Sequence, residues 1–211
     1  MCIRDRSFAV NHVHRRQITE NLFLCAGFQF PEETYLKKIY RLPVFIKFLK
    51  DVLVRPQLFP IADNFQSVNV MQIFDGGMHA WHYDLTDFVV TILLQKPEIG
   101  GEFEFAPFIR GELDPSRKGG RDGRVWEENY GDLEKLLDGM WPNTRIIEPK
   151  PGCLTLFNGL RSMHRVRTVY GGIQRMMAVF SYHIEEEWSS TDKINSTIYG
   201  ALVNKFYEDN H

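Results

Sequence analysis

Cysteine is scarce in this chain: Cys2, Cys25 and Cys153 are scattered over 211 residues. An odd count without a CxxC spacing supports neither a disulfide framework nor a thiolate zinc site. Cys25 and Cys153 are expected to be small buried hydrophobes. No apolar run is long enough to cross a bilayer. Charge of one sign is also missing, since 25 Lys and Arg stand against 27 Asp and Glu. That balance gives no electrostatic footing for nucleic acid or a membrane surface. The opening Met1-Cys2-Ile3-Arg4-Asp5-Arg6 is charged and has no apolar centre, so no secretory signal is expected. A reducing, cytoplasmic compartment fits these absences. No internal repeat or low-complexity tract stands out, and nothing in the sequence fixes an oligomeric state.

What is present is an ordinary apolar content and a high aromatic content, with 16 Phe, enough for a sizeable core. Leu22 to Phe30 can supply an early strand. Pro31-Glu32-Glu33-Thr34 resembles a helix start, with proline in the first turn and acids near the positive end of the dipole. Pro43 opens a second helix. There Val44, Phe45, Phe48, Leu49, Val52 and Leu53 form an apolar stripe with lysines opposite. After Pro60 the period changes to two, and Val68 to Phe74 reads as a strand. Phe88 to Leu94 is almost wholly apolar, which predicts a strand buried on both faces. Gly100-Gly101 turns the chain into the alternating Glu102-Phe103-Glu104-Phe105. Arg110 to Arg124 is rich in glycine and charge and is expected to be a solvated loop. Trp126, Tyr130, Leu133, Leu136 and Leu137 have helical spacing, so the helix is expected to run from Trp126. We place this insertion over the site mouth, where lids are often built. Further strands follow to His183, and the last residues carry a weak helical pattern around Ile198, Leu202, Val203 and Phe206.

The expected arrangement is one domain over 1–211. Its helices lie at about 31–55, its strand-rich core at about 67–184 and its helical insertion at about 110–143. The fold class is mainly β with flanking helices, an eight-stranded jelly roll or double-stranded β-helix of cupin-like form.

The densest chemistry lies in Met78-His79-Ala80-Trp81-His82-Tyr83-Asp84. Two residues apart on a strand, His82 and Asp84 share a face. Two histidines and one carboxylate, with the opposite positions open, form the facial triad of non-heme Fe(II) oxygenases. His164 is the expected third ligand. Eleven residues on, Arg175 opens the apolar strand Met176 to Ser181. An inward-facing arginine there needs an anion, and its planar fork suits a carboxylate. Arg161, Arg165 and Arg167 compete for that role, but Arg165 and Arg167 sit on the opposite face of the ligand strand and are expected in solvent.

In the order His82-x-Asp84, His164, Arg175, the chain resembles the Fe(II)/2-oxoglutarate-dependent dioxygenases. The resemblance covers roughly residues 68–183. It implies that His82, Asp84 and His164 hold Fe(II) and that Arg175 binds the far carboxylate of 2-oxoglutarate. O2 is then consumed, with succinate and CO2 released as the substrate is hydroxylated. Trp81-His82-Tyr83-Asp84, Leu93-Leu94-Gln95-Lys96-Pro97 and Gly100-Gly101-Glu102-Phe103-Glu104-Phe105-Ala106-Pro107 look closer still to the BesD-like free-amino-acid radical halogenases and their hydroxylase relatives. The halogenases carry Gly where this chain has Asp84, and that vacancy takes chloride. Asp84 therefore implies hydroxylation of a small-molecule substrate such as a free amino acid. By the same resemblance His79 points to the substrate, though a solvent-facing turn histidine fits equally. Asn69 is placed to assist 2-oxoglutarate, or is a plain sheet-face residue. Ser181 shares the parity of Arg175 and is expected to line the pocket. Glu102 and Glu104 read best as an outward strand edge, and Trp81 as core. A protein side chain as substrate, or a non-catalytic metal-binding jelly roll, are the alternatives. Arg175 argues against the last.

Overall fold

The computed structural model describes Val13, Arg16, 20–84, Thr86, 88–114, Ser116, 125–148 and 150–210. Residues 1–6 and most of 115–124, read above as a charged tail and a solvated loop, lie outside the described residues.

Strand β1 (Phe23–Cys25) precedes helices α1 (Tyr35–Arg41) and α2 (Pro43–Leu53). Then come β2 (Phe59–Pro60), β3 (Val68–Ile73), β4 (His79–His82), β5 (Phe88–Gln95), β6 (Ile99–Gly100) and β7 (Phe103–Ala106). A ribbon of β8 (Arg110–Leu113) and β9 (Trp126–Glu128) leads into α3 (Tyr130–Leu137). The barrel resumes with β10 (Arg145–Ile147), β11 (Leu154–Phe157), β12 (Met163–Val166), β13 (Val169–Tyr170) and β14 (Arg175–His183). Helices α4 (Asp192–Tyr199) and α5 (Ala201–Asn210) follow.

Two antiparallel sheets face one another as a double-stranded β-helix. The major sheet runs β1-β3-β14-β5-β11, with β2 on the end of β14, and the minor sheet runs β10-β7-β12-β4. Period-two alternation divides the faces of the major sheet. Phe88, Val90, Ala178, Phe180 and Tyr182 point outward and pack under Tyr40 and Leu49 of α1 and α2. Their odd-numbered neighbours, among them Val89, Thr91, Met177 and Val179, point into the barrel and line a cavity. That is why β5 reads as continuously apolar: one face meets helices and the other a cavity.

The insertion differs from its expectation. Trp126 belongs to β9, and the helix starts only after Asn129, whose side chain accepts from the Asp132 amide and fixes the N-terminus. Leu133 and Leu136 then pack with Trp81, Ala106, Ile109 and Met163. These residues alternate with the inward-facing ones, so α3 covers the back of the minor sheet and not the mouth. Cys25 is half-buried and Cys153 exposed, contrary to the expected burial. Cys153 sits in the turn just before β11 and not within a core strand.

Helices α4 and α5 rest on a small core of their own. Phe65, Ala26 and Val203 are its centre, with Phe28, Tyr199, Leu202 and Phe206 around it. A buried carboxylate clasps them to the barrel. Asp63 accepts from the amides of Phe65, Gln66 and Ser190 and from Asn195 Nδ2 at 3.1 Å.

Candidate metal centre

Strand register brings the two histidines together: His164 on β12 lies directly opposite His82 on β4. Each ring is oriented by the backbone two residues upstream. His82 Nδ1 lies 2.7 Å from Ala80 O, and His164 Nδ1 lies 3.0 Å from Ser162 O. A carbonyl only accepts, so each Nδ1 carries the proton and each Nε2 keeps its lone pair. Those lone pairs converge on one carboxylate. Asp84 Oδ1 is 3.8 Å from His82 Nε2 and 3.4 Å from His164 Nε2. One donor atom from each of the three residues lies within 4.8 Å of the others.

Asp84 is not on the strand, since β4 ends at His82. The Asp84 amide donates to Gly159 O at 3.1 Å, which turns its side chain back towards the histidines. Gly159 is obligatory there: a Cβ on it would lie 1.7 Å from Asp84 Oδ2 and 2.7 Å from His164 Cε1. Asp84 Oδ2 is buried and has no hydrogen-bond partner among the described residues. An orphaned carboxylate oxygen beside two imidazole lone pairs is the donor set a divalent transition metal requires.

Electrostatics agree with the geometry. Burial first, then the neighbouring His79 and His164, hold His82 well below the ordinary histidine value. Burial works to raise the Asp84 carboxyl, yet His164 and His82 outweigh it and keep it below the usual carboxylate range. The resulting neutral imidazole and ionised carboxylate are the forms that bind metal.

A third histidine reaches the site through a bulge. Between His164 and Val166 the pairing of β12 with β4 slips, so that Val166 opposes His79. Three steps on one strand then match two on the other, which re-aims a side chain. His79 thereby comes to the same side as His82, their rings stacked at 3.8 Å with an interplanar angle of 29°. His79 Nε2 also lies 3.5 Å from Glu20 Oε1. Glu20, His79 and His82 thus form a second donor trio, but nearly parallel stacked rings cannot both aim their lone pairs at one ion. The first trio is the better metal site.

Two cavities meet at it. One, of about 430 Å³, is lined by His82, Asp84 and His164 and reaches Arg175. Arg175 is 2 % exposed, and its Nε donates to Gly101 O at 3.1 Å. Among the described residues that is its one hydrogen bond, which leaves its outer nitrogens for a ligand. Burial pulls its pKa down to about 10, so it stays cationic at neutral pH and needs an anion. Gly101 allows the approach, with φ +71° and no room for a Cβ, which would lie 2.7 Å from Pro97 Cγ and 3.1 Å from Arg175 Cδ. The other cavity, of about 480 Å³, shares His79, His82 and Asp84 and extends past Asn69 and Ser181 to Thr197, Tyr199 and Leu202.

The structure therefore brings His82, Asp84, His164 and Arg175 around one cavity, and His79 stands at the junction. Ser181 lines the other cavity. So does Asn69, whose place is away from Arg175: its Nδ2 donates to Phe65 O and its Oδ1 accepts from Tyr199 Oη at 2.8 Å. Glu104 is not an outward edge but 4 % exposed. Its Oε2 accepts from Arg165 and Arg167 at 2.7 and 2.8 Å, so those arginines are paired, while their side chains stay 36 % and 41 % exposed as expected. Trp81 is core, beneath Arg165. Sequence reasoning missed Gly159 and Tyr199. The Asn158-Gly159 pair was a visible turn signal. Tyr199 gave none, because its partner Asn69 is 130 residues away.

No protein-family model matches the sequence, and no curated protein matches it. Solved structures do resemble the chain. The epimerase SnoN from nogalamycin biosynthesis, in complex with Fe3+, alpha ketoglutarate and nogalamycin RO, matches with TM-score 0.53 and 13% identity over 77% of this chain and 63% of its own. The non-heme alpha ketoglutarate dependent carbocyclase SnoK matches with TM-score 0.52 and 14% identity over 76% of this chain and 62% of its own. AviO1 from Streptomyces viridochromogenes Tue57 matches with TM-score 0.51 and 10% identity over 80% of this chain and 68% of its own. This chain thus spans about three fifths of the two nogalamycin proteins. At such identities the likeness fixes the fold.

Proposed function

We propose that the protein is an Fe(II)- and 2-oxoglutarate-dependent dioxygenase that hydroxylates a small polar metabolite, a free amino acid being the class its motifs resemble. One observation carries this reading. A converged His82–Asp84–His164 donor set and a buried, otherwise underused arginine face the same cavity. A metal module that only binds would have no use for Arg175. The comparison structures support the reading at the level of fold, since SnoN was seen with Fe3+ and alpha ketoglutarate.

Bound iron, together with 2-oxoglutarate and O2, supplies oxidative decarboxylation and the delivery of one oxygen atom to a C–H bond. The chain's own residues do the rest. His82 and His164 present lone pairs fixed by Ala80 O and Ser162 O. Asp84 contributes the charge and occupies the position that the halogenases of the resembled branch leave to chloride, so hydroxylation is the expected outcome. Arg175 holds the far carboxylate of 2-oxoglutarate, bidentately if its fork is used in full. Phe103 and Phe157, with ring centroids 5.4 and 4.8 Å from that of His164, line the same cavity and would exclude water beside a metal held by the triad. His79 and Ser181 face the cavity left for the substrate.

The test is succinate formation with Fe(II), 2-oxoglutarate and O2 across a panel of free amino acids, with mass spectrometry for a gain of one oxygen. A modified amino acid establishes reaction and substrate class together. Slow succinate without product retains the oxygenase and removes the amino-acid assignment. No succinate from protein that holds iron would overturn the reading.

A further inference from the structure

We infer that the outward flank of α2 is the contact between two copies of this chain. The helix has more apolar surface than the barrel uses. Phe45, Ile46, Leu49 and Leu53 face the main core, which is a full set for a helix of 11 residues on a sheet. Yet Val44, Phe48 and Val52 are 67 %, 45 % and 52 % exposed. Spaced four apart, they form a second stripe along one side of the helix. A helix apolar on this much of its circumference is ordinarily covered. At the helix end Val54 stands 83 % exposed at φ 52°, a left-handed position that a β-branched residue rarely takes. The contrast is α3, which turns Glu134 and Lys135 to solvent.

The rim of the stripe says what covers it. Lys47 and Asp51, 73 % and 64 % exposed, pair with each other at 2.7 Å. At about 100° per residue both lie along the same edge of Val44, Phe48 and Val52. A two-fold axis lying across the stripe runs two such helices antiparallel and sets this edge of one copy against the same edge of the other. Lys47 then faces Asp51 of the second copy and Asp51 faces its Lys47, while Val44 meets the Val52 end and Phe48 lies near the axis. Such a self-complementary patch is what an isologous contact requires. None of these residues lines either cavity, so the inference is independent of the proposed chemistry.

The experiment is the solution mass of the full chain over a wide concentration range. The expected species has twice the 24.7 kDa chain mass. Phe48→Glu is expected to weaken it by about thirtyfold or more, the scale of a central aromatic anchor, with an unchanged far-ultraviolet circular dichroism spectrum. Lys47→Glu and Asp51→Lys, on well-exposed side chains, are each expected to be monomeric alone and to form a mixed dimer when combined. A monomer at every concentration would overturn the inference. So would a dimer indifferent to Phe48→Glu, or charge variants that do not pair on mixing.

Discussion

The two cavities on either side of the triad are close in volume, about 430 and 480 Å³, and unlike in construction. The one that reaches Arg175 is walled by paired strands of both sheets. Its cation is held by a glycine carbonyl of the barrel. The other borrows part of its wall from α4, which pairs with no strand and sits on a separate core. Sheet register fixes the first cavity. The second is fixed by how well a helix pair docks. The difference teaches where each kind of constraint lies: on the proposed reading, the 2-oxoglutarate seat is the rigid one and the substrate seat the adjustable one.

That contrast gives four ways to break or sharpen it. The largest effect should come at the triad itself. His164→Ala is expected to reduce bound iron from one per chain to none, since the facial set loses a third of its donors; elemental analysis of the purified variant decides it, and stoichiometric iron would refute the ligand role. Next is Arg175→Met, which removes the cation from the rigid side alone. Calorimetric titration should show 2-oxoglutarate affinity reduced by about two orders of magnitude, in the range for deleting one partner of a buried charge pair, with iron content unchanged. An unaltered affinity would transfer the role to another arginine. Gly159→Ala removes no donor but pushes a methyl against two of them, Asp84 and His164. It displaces Asp84 and should cost about 10- to 100-fold in metal affinity, the range seen when the support of a ligand is lost. If metal binding were untouched, the Gly159 backbone would have to yield in a way the present contacts do not allow. Smallest is Tyr199→Phe on the adjustable side. Loss of one hydrogen bond to Asn69 is expected to raise substrate KM about fivefold, an energy of about 1 kcal/mol, while the 2-oxoglutarate KM stays fixed. A change in both would mean that the two cavities are not separately built.

Most of the barrel was legible because strand pairing enforces alternation, and alternation is written locally. The facing of His82 and His164 follows from that register. Asp84 was singled out from its spacing to His82, but for an incomplete reason. A strand geometry was assumed, whereas the side chain is returned by Gly159 after the strand has ended. The bulge that turns His79 towards His82 was beyond reach, since a bulge is a mismatch between two strands and neither one carries it alone. Burial of Glu104 was missed for a related reason. It takes two arginines, from positions 61 and 63 residues later, to make a buried carboxylate tolerable. The position of α3 was misread because an apolar helical stripe says that something is covered but not which surface. The substrate-side wall left the weakest trace of all, as its contacts join the chain's ends to its middle.

The separate core beneath α4 and α5 has a consequence for how such an enzyme diversifies. Thr197, Tyr199 and Leu202 reach the cavity from a helix pair whose footing, Phe28, Phe65, Val203 and Phe206, is not shared with the strands of the triad, and Tyr199 and Leu202 also pack into that footing. Mutational drift in this wall is buffered from the chemistry, much as an interchangeable tool head is from its motor. A library at Thr197, with conservative changes at Tyr199 and Leu202 that keep the small core filled, should therefore yield folded, iron-loaded variants, with selectivity as the property that varies.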